Sequence, residues 1–160
     1  MVAPRSIHTD PADVPEIENE HALIRIIHGT YISQTTPYQM VTAADLFHVY
    51  LQPKRVIRIA AREMAFVYGL QGRGTSGGKM INSRTLINYS LKGDNIVVNA
   101  DNDGLEFMFG SGTPMNEPVI YGGPFVATTP EQMAEFQRRY TAGKMGQLDL
   151  FDETTVGYNL

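Results

Sequence analysis

Four histidines, His8, His21, His28 and His48, are the first residues to weigh as catalysts or metal ligands. No two of them stand at the i, i+2 spacing of a strand or the i, i+4 spacing of a helix, and the chain has no cysteine. A mononuclear site needs three or four converging His, Cys or carboxylate ligands. The sequence therefore points to no metal and no cofactor. It also excludes disulfides, iron–sulfur clusters and thiol nucleophiles.

Other chemical motifs are thin. Gly72-Arg73-Gly74-Thr75-Ser76-Gly77 fits G-x-G-x-x-G by letter. That motif holds a pyrophosphate only where it ends a strand and opens a helix. The residues that follow, KMINSRTLINYS, read as strand, so a flexible hairpin loop is expected. Gly110-Ser111-Gly112 reads as a turn for the same reason. No G-x-S-x-G elbow presents a nucleophilic serine. Glu16 and Glu18 lie in an acidic stretch, and a catalytic acid needs burial to raise its pKa. Lys54, Arg55, Arg58 and Arg62 make the one dense basic patch, which reads first as a solvated strand face, second as an anion-binding wall and third as a nucleic-acid contact.

Five side chains are the candidate lining of a small-molecule pocket: His48, Arg58, Arg62, Tyr68 and Tyr89. They are polar groups in or beside strongly apolar runs. An arginine turned into an interior must meet an anion or a carboxylate, so Arg58 inside would suit an acidic ligand; with the strand turned the other way it is simply outside.

The elements that must position these groups are short and β-rich. Apolar runs occur at 22–28 (ALIRIIH), 45–51 (DLFHVYL), 55–60 (RVIRIA), 65–70 (AFVYGL), 86–91 (LINYSL), 95–99 (NIVVN), 105–109 (LEFMF) and 118–121 (PVIY). Turn signals separate them, including Gln52-Pro53, the glycines at 72–78, Lys92-Gly93-Asp94 and Asp101-Asn102-Asp103-Gly104. Many short strands at near-regular spacing predict an all-β sandwich or barrel. One helix is predicted near the end. Thr129 suits the N-cap, Pro130 the first helical position and Gln132 a capping box. Met133, Phe136 and Tyr140 form one apolar stripe expected to pack on the barrel, and Gly143 stops the helix.

Charge narrows the partners. Residues 1–20 carry −4, residues 145–160 carry −3 and the middle carries +3, for a net −4. This balance argues against nucleic acid, which calls for a basic stripe. No run approaches the ~18 consecutive apolar residues of a membrane span, and the first ten residues have no apolar h-region, so a cytoplasmic location is expected.

The segment 112–146 narrows the fold. It contains Pro114, Asn116, Glu117 and Pro118, then Tyr121, Gly123, Pro124, Phe125 and Val126, then Tyr140, Gly143 and Gly146. These residues resemble, in order, the end of the pirin family. Pro15-Glu16-Ile17-Glu18, and Ala65-Phe66-Val67-Tyr68 followed by Gly72, also look like the C-terminal half of pirins. The resemblance implies a cupin-type jelly-roll or β-barrel with one C-terminal helix. It predicts an extended lead-in at 1–20, a barrel with its helix at 21–146 and a tail at 147–160. Pirins look like two cupin barrels, the first of which carries a metal through an H-x-H pair with a later His and Glu. This sequence resembles the second. Counting back from Gly72 puts Arg58 and Ala60 at the places of the pair, and neither can ligate a divalent metal. The resemblance therefore predicts a metal-free binding or assembly module. Its rivals are a dioxygenase- or isomerase-type enzyme with an unrecognised site and a regulatory module that contacts other proteins. A second barrel alone exposes the face that leans on the first, which predicts a homodimer. Leu148, Leu150 and Phe151 in the tail suit such a contact.

Overall fold

The computed structural model describes residues 7–38, 40–89 and 93–146. It divides into two compact units at Pro114/Met115, whereas a single domain was expected over 21–146. The tail residues Leu148, Leu150 and Phe151 lie outside the described residues.

The first unit is an antiparallel sheet of eight strands with a small ribbon beside it. The sheet strands are β1 (Glu16–Glu18), β2 (Ala22–His28), β5 (Ala44–Leu51), β6 (Val56–Ala60), β7 (Met64–Ser76), β8 (Lys79–Ile81), β9 (Leu86–Tyr89) and β10 (Asn95–Gly112); β3 (Thr30–Tyr31) and β4 (Gln34–Thr35) form the ribbon. The sheet order is β1-β2-β5-β10-β7-β8, with β6 also on β10 and β9 also on β7. Part of the expected lead-in is thus the edge strand β1.

Side-chain alternation sets the inner face. β2 turns Ala22, Ile24, Ile26 and His28 inward, and β5 turns Asp45, Phe47, Val49 and Leu51 inward. With Ile57, Ile59, Val67, Ile81, Ile87, Val98, Leu105, Phe107 and Phe109 the apolar ones among them make one continuous core, so the sheet curls round it. Phe47 and Phe109 stack at its centre with rings 5.5 Å apart.

Two expected turns are strand instead. Asp101–Gly104 lies within β10 and Gly72–Ser76 within β7. The ladder between them shifts register from Ala100 to Leu105, five steps along β10 against two along β7, so β10 bulges there. Gly72 (φ +79°) and Gly104 (φ +80°) take the left-handed backbone there. A Cβ on Gly72 would stand 2.2 Å from the carbonyl oxygen of Gly104, so only glycine fits. The hairpin turn itself is Gly77–Gly78. Gly110-Ser111-Gly112 is likewise strand; the Phe66 ring covers Gly110 so closely that a Cβ would meet it at 2.3 Å.

In the second unit β11 (Ile120–Gly122) and β12 (Phe125–Ala127) form a hairpin on which α1 (Pro130–Thr141) packs. The Thr129 hydroxyl accepts from the Gln132 amide, as expected of an N-cap. The Gln132 side chain reaches one residue further back, accepting from the amide and hydroxyl of Thr128. Gly143 and Lys144 close the helix by donating to Tyr140 and Arg139, a Schellman ending. Met133 is buried against Gly122, and Phe125 touches both Phe136 and Tyr140. Phe136 is half-buried and Tyr140 is 64% exposed, so the apolar stripe is covered mainly at its start. No helix among the described residues is long and apolar enough to cross a membrane.

Candidate functional site

Antiparallel pairing brings several strand ends to one end of the first unit. The register sets Ser111 at the end of β10 against Asp45 at the start of β5 and Ala65 at the start of β7. Ala65 in turn faces Tyr89 at the end of β9, and His28 at the end of β2 faces Leu46. Arg62 arrives on the link between β6 and β7. Asp45 continues the inward series of Phe47, Val49 and Leu51, so an acid stands where the core opens.

Asp45 is held from three sides. Its Oδ2 accepts from Arg62 Nε at 2.8 Å and from the Ser111 hydroxyl at 3.3 Å, and its Oδ1 accepts from the Thr30 amide at 3.3 Å. Gly29, at φ +97°, makes room, because a Cβ there would stand 2.2 Å from Asp45 Oδ1. A second chain runs from the Tyr89 hydroxyl to Ser76 Oγ and from Ser76 to the Val97 carbonyl, each bond 2.6 Å. His28 is only 7% exposed and stacks on Tyr38 at 5.6 Å. Its Nδ1 is buried with no hydrogen-bond partner among the described residues.

Three hollows meet around this cluster. The largest, about 660 Å³, is lined by His28, Asp45, Ser111 and Tyr89 and by apolar Met40, Met64 and Phe66. One of about 260 Å³ is lined by Arg62, Ser76, Tyr89 and Val97. One of about 330 Å³ is lined by His28, Tyr38 and Arg62.

Of the five side chains expected to line a pocket, Arg62 and Tyr89 stand on these hollows. His48, Arg58 and Tyr68 fall on the opposite face of their strands from the core residues Phe47, Val49, Ile57, Ile59 and Val67. His48 Nε2 lies 2.7 Å from Glu106 Oε1, half-buried, and Arg58 is exposed. The arginine that stands on the hollows is Arg62, not Arg58, because Ile57 and Ile59 take the inward places on β6. Asp45, His28, Ser76 and Ser111 were not singled out as pocket residues from the sequence. The usable signal was their place at the end of an alternating inward series, as in Ala22-Ile24-Ile26-His28.

Burial raises the Tyr89 phenol above its ordinary value of 10.0, an effect partly offset by its bond to Ser76. Burial also raises Tyr31, which sets its ring edge on Phe47. The folded state favours the neutral phenols, so the unfolded chain loses those protons first. Stability is full below about pH 10 and is expected to fall as pH rises through the raised folded values. Urea midpoints between pH 9 and 11.5 check this; Tyr31→Phe and Tyr89→Phe should each flatten the decline.

The described residues contain no group of three His, Cys, Asp or Glu side chains that could hold a metal ion. The donor set therefore does not fit the metal that the pirin resemblance implies for a first barrel.

Comparison with known proteins decides the family. The profile of the pirin C-terminal cupin domain matches residues 46–146. The chain belongs to the pirin family. A pirin-like protein of Solanum lycopersicum is 26% identical over 152 residues, covering 91% of this chain and 52% of that one. Pirin-like protein 2 of Arabidopsis thaliana is 27% identical over 161 residues, covering 91% and 49%. The crystal structure of quercetin 2,3-dioxygenase from Acinetobacter baumannii superposes with a TM-score of 0.75 at 21% identity, covering 88% of this chain and 50% of that one. This pirin chain thus has the cupin β-fold with one C-terminal helix, and it spans about half the length of the curated relatives it matches.

Proposed function

We propose that this pirin domain binds a small molecule with an apolar body and an acidic end in the hollows at the open end of its sheet. The observation that carries the reading is His28 Nδ1, a buried polar atom without a partner on the wall of a mostly apolar cavity. Such an orphan is costly unless something satisfies it, and a ligand's polar end would do so. Met40 and Met64 supply adaptable apolar surface. Arg62, which donates its Nε to Asp45, supplies the positive charge for an anion. Pentanoate and pentanamide test this by calorimetry. Pentanoate is expected to bind at least tenfold tighter, and Arg62→Met should abolish the difference. Equal binding of acid and amide would overturn the acidic end.

A second reading is an enzyme of dioxygenase or isomerase type, which draws on the activity named for the matched Acinetobacter protein. It is favoured by near one equivalent of transition metal in tag-free native protein, and the binding-module reading by its absence.

Assembly belongs to the same proposal, as a homodimer. Tyr121 and Val126 are cross-strand partners on the β11–β12 hairpin, 78% and 56% exposed, an apolar pair suited to a second copy. Light scattering at micromolar concentration is expected to give twice the 17.8 kDa chain mass. A monomer mass would sink the dimer.

A further inference from the structure

The Tyr89–Ser76–Val97 chain has only one possible direction. A carbonyl oxygen cannot donate, so the Ser76 proton must go to Val97. With that proton committed, Ser76 Oγ can only accept from Tyr89, whose hydroxyl proton is then committed too. Ser76 is buried, which keeps water from competing for the chain. Burial also keeps the Tyr89 phenol protonated over the working pH range. What Tyr89 offers to the hollow is therefore an oxygen with free lone pairs and no proton. Arg62 lines the same 260 Å³ hollow and is donor-only.

We infer that the ligand is a small hydroxy acid, its carboxylate on Arg62 and its hydroxyl donating to Tyr89. This rests on the acid-binding reading above and adds a second recognition point to it. Tyr89 becomes a specificity-determining residue. It accepts from a hydroxyl and repels the carbonyl oxygen of an oxo acid, since two acceptors would face each other with no proton between them. Tyr89 also lines the 660 Å³ cavity, where the ligand's apolar body lies against Met40 and Met64.

The test compares 2- and 4-hydroxypentanoate with 2- and 4-oxopentanoate and with pentanoate, by calorimetry on the full chain. At least one hydroxy acid is expected to bind about three- to tenfold tighter than both pentanoate and its matching oxo acid, the gain of one added hydrogen bond. Ser76→Ala frees the Tyr89 proton, so the preference should swing toward the oxo acid. Tyr89→Phe should bring all three kinds of acid to one affinity. It also serves if Ser76→Ala does not fold. If the acids bind through Arg62 but the hydroxyl makes no difference, this inference fails and the acid-binding reading stands. An oxo acid preferred by the native protein, or a hydroxy preference unchanged in Tyr89→Phe, overturns it as well. If none of the acids binds, both fall together.

Discussion

Phe47→Ala is expected to lower the unfolding free energy by roughly 3–5 kcal/mol, the usual range for removing a fully buried ring. Phe47 is 1% exposed, stacks on Phe109 and receives the edge of Tyr31. The loss has two parts: the transfer of the ring from water and the cavity it leaves. Collapse cannot relieve the second part easily, because β5 is paired on both sides, to β2 and to β10. Phe136→Ala makes the contrast. Its ring is half-buried and meets Phe125 at 6.4 Å, so it should cost well under half as much. Urea melts of the two variants give the order directly. A Phe47→Ala cost below about 1.5 kcal/mol would mean that the aromatic stack does not organise the core.

The legible parts of the fold were those set by local alternation. ALIRIIH, with Ala22, Ile24, Ile26 and His28 on one face, needs no distant information to be read as a half-buried strand. The helix was equally local, since Thr129, Pro130 and Gly143 carry its start and stop. Asp101–Gly104 was read as a turn because Asn, Asp and Gly serve turns and bulges alike. Only Gly72, some thirty residues away and paired across the ladder, selects the bulge. Arg58 shows the opposite case. The sequence leaves it open between a solvated strand face and an inward place, and its own neighbours Ile57 and Ile59 turn it out. The site was hardest, because its residues sit singly at the ends of separate strands. Asp45, Ser111, Ala65 and Tyr89 meet only through strand register, which no local pattern contains.

Asp45→Asn is the second large effect, expected at about 2–4 kcal/mol of stability together with a marked loss of acid binding. The buried Asp45 carboxylate accepts on both oxygens, from Arg62 and Ser111 on one and from the Thr30 amide on the other. An asparagine has one acceptor oxygen and one donor amide. If the oxygen faces Arg62, the amide confronts the Thr30 N–H, a backbone donor that cannot turn away. If the oxygen faces Thr30, the amide meets Ser111, which can rotate to accept, and Arg62 is released. The Arg62 side chain is 40% exposed and can find water, which keeps the cost below that of stranding a fully buried charge. Released, Arg62 is no longer held at the hollow, so pentanoate should bind about as weakly as it does to Arg62→Met. The double variant separates pairing from packing. If Asp45 acts through Arg62, adding Asp45→Asn to Arg62→Met should weaken pentanoate binding no further. Losses that simply add, or an Asp45→Asn cost below about 1 kcal/mol, would show that the pair does not position the arginine.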